Sequence, residues 1–286
     1  MARASVARRA TAVVALALVA SSGIATASLP ASAAESGSAP AISPVGATHV
    51  DASGVFHYIF DPASLPGAVR TVQDGDRTTA GACRFTDADL GRAGTAGPLI
   101  TVMRELSFNP ATCSRELAVA SYTTETVPAR YAAEFQDVAG ATDTESASTA
   151  GDGISPQAVV YIGGLKVNVE DPAQIDVTST QSDVNWSAGS CVTSSDHTAH
   201  WGWYSPSGWQ RTNAWWAYDR SCSRAYTNTY GRYKNTKFCL TIDTHSEHRK
   251  TWFEGRPYGS WYWSYDVEKW GGCSGLLHYE YLVTTP

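Results

Sequence analysis

Acidic, histidine and tyrosine side chains recur at alternate positions near the end of the chain. They are Tyr262, Asp266, Glu268, His278 and Glu280. Carboxylates accept hydrogen bonds from sugar hydroxyls, and an exposed tyrosine ring can stack on a sugar. Two carboxylates at a set separation also perform the acid–base chemistry of glycosidases. These five residues form the candidate ligand-binding site, and the alternative is an ordinary solvated sheet face, where charges are expected.

Two predicted strands, 260–269 and 275–283, would position this site. The odd positions of the first strand are aromatic or apolar, namely Trp261, Trp263, Tyr265 and Val267. Successive side chains of a strand point to opposite faces. A three-residue loop at 270–272 joins the two strands in the register that keeps both faces consistent. The pattern therefore predicts a hairpin with Trp261 and Trp263 in the core and the candidate residues on the opposite face.

Other patterns that could support catalysis or metal binding are weak. The two H-x-x-H stretches, at 197–200 and 245–248, could ligate zinc on a helix or a tight loop. Strand side chains three apart point to opposite faces, and H-E-x-x-H is absent, which favours polar loop histidines. A G-x-S-x-G elbow is also absent. We expect no metal, no cofactor and no assigned catalytic residue.

The six cysteines are Cys83, Cys113, Cys191, Cys222, Cys239 and Cys273. An even number in an exported chain indicates disulfides, because an oxidising exterior lets them persist. We predict the pairs Cys83–Cys113, Cys191–Cys222 and Cys239–Cys273, although the last four cysteines permit three pairings. Zinc is a poor alternative because no C-x-x-C spacing occurs.

The first 34 residues have the composition of a secretory signal. Arg3, Arg8 and Arg9 precede the apolar run 10–20, and small-residue A-x-A sites follow it. The residues around Arg8-Arg9 favour general secretion over twin-arginine export. The run is short for a membrane span, and no second long apolar stretch follows. We predict a signal peptide at 1–34 and a secreted, extracellular protein without membrane insertion.

The distribution of charge bears on possible partners. The chain has a net charge of −6, and removal of residues 1–34 would make it more acidic. Residues 35–159 are rich in acids, which argues against nucleic acid or an anionic membrane. A later basic cluster is interleaved with tyrosines and could grip a single strand, but a solvated strand face is favoured. Its members are Arg220, Arg224, Arg232, Lys234 and Lys237, with Tyr226, Tyr230 and Tyr233. We expect no nucleic-acid partner, and leave the oligomeric state open.

Composition divides the remaining chain into two modules. Residues 139–157 are small and polar, which predicts a flexible linker. The pattern of residues 45–138 indicates a small β or α+β module, and the same segment could equally be a propeptide. Residues 158–286 contain short β-branched and aromatic runs between turn signals, together with all ten tryptophans. This pattern predicts a mainly all-β protein whose C-terminal domain is a disulfide-braced antiparallel β-sandwich or barrel.

Several stretches resemble a group of secreted proteins from high-GC Gram-positive bacteria. They are VEDPAQIDVTSTQSDVNW, RYKNTKFC, EGRPYGSWYWSY and CSGLLH in the second module, and RELSFNPATC in the first. The resemblance covers about half of the mature chain. It implies export and a two-part layout, and it transfers no activity and no catalytic residue.

Three functions of different classes remain open from the sequence. The first is a secreted, non-catalytic protein that binds a polysaccharide or another component of the cell envelope. The second is a secreted, glycosidase-like hydrolase that uses carboxylates of the last two strands. The third is a structural or interaction protein whose aromatic residues serve packing alone.

Overall fold

The computed structural model describes residues 48–86, 99–133, 141–149 and 159–286, so the predicted signal peptide lies outside it. Runs of β-branched and aromatic residues form strands, as such residues favour a pleated surface. The strands are β1 (His49–Val50), β2 (Phe56–His57), β3 (Val69–Asp74), β4 (Asp76–Arg77), β5 (Cys83–Thr86), β6 (Leu99–Asn109), β7 (Ser114–Thr123), β8 (Ala141–Thr149), β9 (Val159–Glu170), β10 (Asp176–Ala188), β11 (Val192–Trp203), β12 (Trp209–Ser221), β13 (Arg224–Asn235), β14 (Thr244–Gly255), β15 (Trp261–Gly271) and β16 (His278–Thr285). A short helix, α1 (Ala129–Ala133), follows β7.

The strands form two antiparallel sheets. Sheet A has the order β3-β7-β6-β16-β9-β10-β11-β8, and β1 and β2 extend it beside β6. Sheet B has the order β12-β13-β14-β15-β5-β4. The predicted all-β class and the sandwich arrangement are therefore confirmed. No helix within the described ranges is long and apolar enough to cross a membrane.

The main core lies between the two sheets. Trp186, Phe253, Tyr265, Tyr279 and Tyr281 are all buried there. The rings of Tyr265 and Tyr281, which come from different sheets, stack with their centroids 4.3 Å apart. Each large ring that is removed from water stabilises the fold by a few kcal/mol, at roughly 25 cal/mol per Å² of apolar area.

Part of the interior between the sheets is lined by hydroxyl groups instead. His248 of β14 is fully buried, and its ring nitrogens lie 2.9 Å from Oγ1 of Thr180 and 3.2 Å from Oγ1 of Thr178. Thr180 Oγ1 also lies 2.7 Å from Thr251 Oγ1. These hydroxyls satisfy the imidazole, which otherwise would be costly to bury.

The outer side of sheet A carries a second layer. Residues 58–66 and α1 cover the apolar side chains of β6, β7 and β16, and Leu65 and Tyr131 are almost completely buried against them. Strand faces that would otherwise meet solvent are therefore internal at this position.

The segments predicted as two modules share both sheets. In sheet A β6 pairs with β16, and in sheet B β5 pairs with β15. The described residues accordingly form one compact unit rather than two. Residues 141–149 of the predicted linker form β8, which pairs with β11, while the rest of that linker lies outside the described residues. Short polar side chains predict flexibility, but a backbone ladder needs no bulky residue at an edge strand.

All three predicted disulfides are confirmed. They are Cys83–Cys113, Cys191–Cys222 and Cys239–Cys273, with Cα atoms 5.2, 4.5 and 5.6 Å apart. Cys83 lies in sheet B and Cys113 in the β6–β7 turn of sheet A, so this bridge ties the two sheets together. Three disulfides are typical of proteins that fold in an oxidising compartment.

The predicted hairpin between the last two strands is wrong. β15 pairs with β14 and β5, whereas β16 pairs with β6 and β9 in the other sheet. Gly271 and Cys273 adopt left-handed backbone conformations, and a 3-10 turn at Ser274–Leu276 carries the chain from one sheet to the other. The inward faces were still predicted correctly for Trp263 and Tyr265, while Trp261 is only partly buried.

Candidate functional site

The outer face of sheet B carries most of the accessible aromatic rings of the sheet. Thr227, Thr229 and Tyr233 of β13 hydrogen-bond to β10 of sheet A, so the alternate residues of β13 must face outwards. The strand register then assigns the neighbouring strands to the same face. We call this surface the aromatic face; its rings are Trp215, Tyr226, Tyr230, Trp252, Tyr262 and Trp270.

Two pairs of rings on this face stack in parallel. Trp215 and Tyr230 have centroids 5.2 Å apart and planes inclined by 6°. Tyr226 and Trp252 are 4.1 Å apart and inclined by 11°. Trp215 remains 45% exposed, and Lys250 lies over the Trp252 ring at 5.4 Å. The stacking fixes the ring orientations and leaves part of the Trp215 ring available to a ligand, whereas Arg224 and Lys250 lie over the Tyr226–Trp252 pair.

The centre of the aromatic face has hydrogen-bonding atoms without partners. In the register Ser264, Trp252 and Asn228 lie side by side across three strands, and Ala217 of β12 follows Asn228. Trp252 Nε1, Asn228 Oδ1 and Ser264 Oγ are shielded from water and make no hydrogen bond with any described residue. Buried polar groups are nearly always paired, and each unpaired group costs about 1–3 kcal/mol. This row therefore holds one donor, one acceptor and one hydroxyl, which a ligand reaches only when the side chains that shield them move.

Two glutamates meet beside this row. Glu247 of β14 lies directly opposite Glu268 of β15, and each is less than 9% exposed. The Tyr230 hydroxyl donates to Glu247 Oε1 at 2.5 Å, and Arg249 Nη1 donates to Glu268 Oε1 at 3.2 Å. Glu268 Oε2 is shielded and accepts no hydrogen bond from a described residue.

The surroundings of Glu268 favour its protonated form relative to a carboxyl group in water. Burial raises the pKa of Glu268, as does its hydrogen bond with Glu247, whereas Arg249 opposes the shift. Burial also raises the pKa of Asp266, although the nearby Arg84 acts to lower it. Burial and the bond to Glu247 together raise the pKa of Tyr230 to about 12, so this hydroxyl remains a donor.

The five predicted ligand-binding residues fall into two separate groups. Tyr262, Asp266 and Glu268 lie on the aromatic face, but His278 and Glu280 lie on the outer side of sheet A. The latter two are buried beneath the second layer, at 2% and 0% exposure. They do not form one site, because β15 and β16 belong to different sheets.

His278 and Glu280 belong to an internal ion network. His278 Nε2 lies 2.5 Å from Glu170 Oε2, and Arg104 contacts Glu170 at 2.8 Å and Glu280 at 3.2 Å. Arg130 approaches both glutamates, at 3.0 and 3.5 Å. These partners lower the pKa of Glu170 to about 2 despite its burial. Carboxylate oxygens of Asp176, Glu170 and Glu280 lie within 4.8 Å of one another, a spacing that could hold a metal ion. Arg104 and Arg130 already form ion pairs with both glutamates.

The histidine pairs lie on strands rather than in loops, so that part of the prediction is wrong. His197 and His248 face the interior, and burial lowers the pKa of each. His200 lies 2.9 Å from Thr144 of the neighbouring β8, and His245 stacks on Trp270 at 4.9 Å. The members of each pair point to opposite faces, as expected for residues three apart on a strand.

Sequence reasoning missed most of the aromatic face. Trp215, Asn228, Glu247 and Trp252 were not assigned to it. The sequence of β13 contains a pattern that could have revealed this face, because large polar or aromatic residues alternate there with Ala, Thr and Gly. The predicted basic cluster includes the outward-facing part of that strand, although Tyr233 within it is completely buried.

Comparison with known proteins gives no match to this chain. No protein-family model, no curated protein and no solved structure matches it.

Proposed function

We propose that the protein is secreted and binds a glycan of the cell envelope or the extracellular space through the aromatic face, without catalysis. One observation carries this proposal. Parallel-stacked rings and unpaired hydrogen-bonding atoms occur together on one outward-facing sheet surface. The predicted signal peptide and the three disulfides support secretion.

The chemistry of this face suits a sugar polymer. The C–H face of a sugar packs on an exposed ring such as that of Trp215, while its hydroxyls need both donors and acceptors. Trp252 supplies a donor and Asn228 supplies an acceptor, neither of which is used within the described chain. A ligand that pairs these atoms removes a penalty that the free protein carries. Lys250 must move aside from the Trp252 ring for this contact.

Retention on insoluble polysaccharides tests the proposal. The full mature chain is incubated with a panel of such polymers, and the protein left in solution is measured. Trp215→Ala should weaken retention about tenfold, which corresponds to ~1.4 kcal/mol of lost stacking. Tyr262→Ala should also weaken it.

Tyr218→Ala is the matched control. Tyr218 lies on the same strand and is 42% exposed, but it points to the opposite face and contacts His197. The Tyr218→Ala variant should therefore be retained on the polysaccharide as strongly as the unsubstituted protein. The proposal fails if no polymer retains the protein, or if Trp215→Ala and Tyr218→Ala reduce retention equally.

The Glu247–Glu268 pair favours hydrolysis as a second candidate. A carboxyl group of raised pKa can act as a general acid beside a second carboxylate. Glu280, the carboxylate of the last strand, is completely buried, so a substrate in solution cannot reach it. Release of reducing ends at mildly acidic pH that disappears in Glu268→Gln, while retention persists, would support this candidate. Retention without any release supports binding alone.

A further inference from the structure

A cavity of about 510 Å³ opens at one end of the molecule, apart from the centre of the aromatic face. It lies between the β4–β5 hairpin, the ends of β2 and β6 and the turn that follows β15. Its size is within the range of small-molecule sites. Its walls include the residues Phe56, Phe108, Pro110 and Trp270, and its charged lining residues are Arg77 and Lys269.

The cavity has both polar and apolar walls, and its charged lining residues are positive. None of the described residues that line it is acidic. Lys269 is already compensated, because its Nζ lies 3.4 Å from both oxygens of Glu105 and donates to the carbonyl of Leu277. The ammonium also lies 4.4 Å from the centre of the Phe108 ring. The uncompensated positive charge at this cavity is therefore that of Arg77.

Arg77 is held in place by carbonyl groups alone. Its guanidinium donates to the carbonyls of Gly81 and Ala111 at 3.0 Å each, and to that of Pro110. No carboxylate in the described part of the chain forms an ion pair with it. Carbonyl contacts fix a guanidinium without neutralising it, so the group stays ready for an anion.

We propose that this cavity binds a small organic anion with a flat apolar body, such as an aromatic carboxylate, whose carboxylate pairs with Arg77. The ring of the ligand packs against the wall to which Phe56, Phe108 and Trp270 contribute. The guanidinium supplies a charge-assisted hydrogen bond to the carboxylate. The inference is independent of glycan binding, since it uses neither Trp215 nor the central row of the aromatic face.

Isothermal titration of the full mature chain tests this site with phenylacetate and indole-3-acetate as probes. At least one of them should bind saturably at millimolar concentration or below. Phenylacetamide, which keeps the ring but lacks the charge, should bind at least about tenfold more weakly than phenylacetate. Acetate, which lacks the ring, should not bind measurably.

Substitutions separate the site from general charge effects. Arg77→Gln should weaken binding of the acids by about tenfold or more. Arg70→Gln is the control, since Arg70 is an exposed arginine that pairs with Glu116 and does not line the cavity. If Arg77→Gln does not fold, Ala80→Phe replaces it, because Ala80 lines the cavity at an exposed turn and a larger side chain there fills the space.

The outcomes are distinct from those of the polysaccharide experiment. Binding that is lost in Arg77→Gln or Ala80→Phe and unchanged in Arg70→Gln and Trp215→Ala supports the inference. Absence of saturable binding of both acids overturns it, as does equal affinity for phenylacetate and phenylacetamide.

Discussion

Stability at mildly acidic pH should depend on His248. Burial lowers the pKa of this imidazole from its ordinary 6.5 to about 3, and its polar contacts are hydroxyls rather than charges. The unfolded chain therefore takes up a proton near pH 6.5, whereas the folded protein takes it up only near pH 3. Stability is lost as the pH falls through this interval. The loss attributable to His248 is about 2 kcal/mol at pH 5, and about 5 kcal/mol below pH 3.

Guanidinium unfolding at pH 7 and pH 5, with the disulfides intact, measures this difference. The free energy of unfolding should fall by about 2 kcal/mol more in the unsubstituted protein than in His248→Gln, which cannot take up the proton. His49→Gln, at an exposed position on β1, should retain the full pH dependence. If His248→Gln loses as much stability between pH 7 and pH 5 as the unsubstituted protein, the buried imidazole does not control the acid response.

Thermal unfolding tests two further parts of the fold. In Gly255→Ala the added Cβ would lie 2.2 Å from the Trp186 ring, so we expect a loss of about 1–3 kcal/mol, whereas Gly189→Ala, with open space around it, should be nearly neutral. Arg104→Met removes a positive partner from two buried glutamates and should lower the free energy of unfolding by about 3–5 kcal/mol. Arg70→Met breaks an exposed ion pair and should lower it by less than about 1 kcal/mol. Equal effects within either pair would contradict the packing described.

Residue alternation predicted which rings face the core, but not how the last strands are connected. Trp263 and Tyr265 are inward in the structure, as their spacing indicated, whereas Trp261 is only partly buried. A hairpin and a crossover between two packed sheets bury the same faces, so periodicity cannot distinguish them. The consecutive glycines after Trp270 are typical of a hairpin. Here they lead into a turn that the Cys239–Cys273 bridge joins to the loop between β13 and β14.

The candidate site was predicted in part for a related reason. Tyr262, Asp266 and Glu268 were placed correctly on an outward face of their strand. His278 and Glu280 also alternate with buried rings, but the outer side of sheet A is covered by residues from early in the chain. A local pattern contains no information about such a distant layer. For the same reason it could not assign Glu247 as the partner of Glu268.

The indole resonances of the ten tryptophans test glycan binding by the aromatic face most directly. In the ¹⁵N-labelled protein, a soluble fragment of the retained polysaccharide should shift the Nε1–H signals of Trp215 and Trp252 saturably. The Trp252 indole has no acceptor in the described chain, so its proton can pair with a ligand hydroxyl once Lys250 moves aside. The signals of Trp186 and Trp201, whose indoles donate to the backbone carbonyls of Arg256 and Tyr230, should remain in place. Saturable shifts confined to Trp186 and Trp201, or no saturable shift at Trp215 and Trp252, would contradict binding at this face.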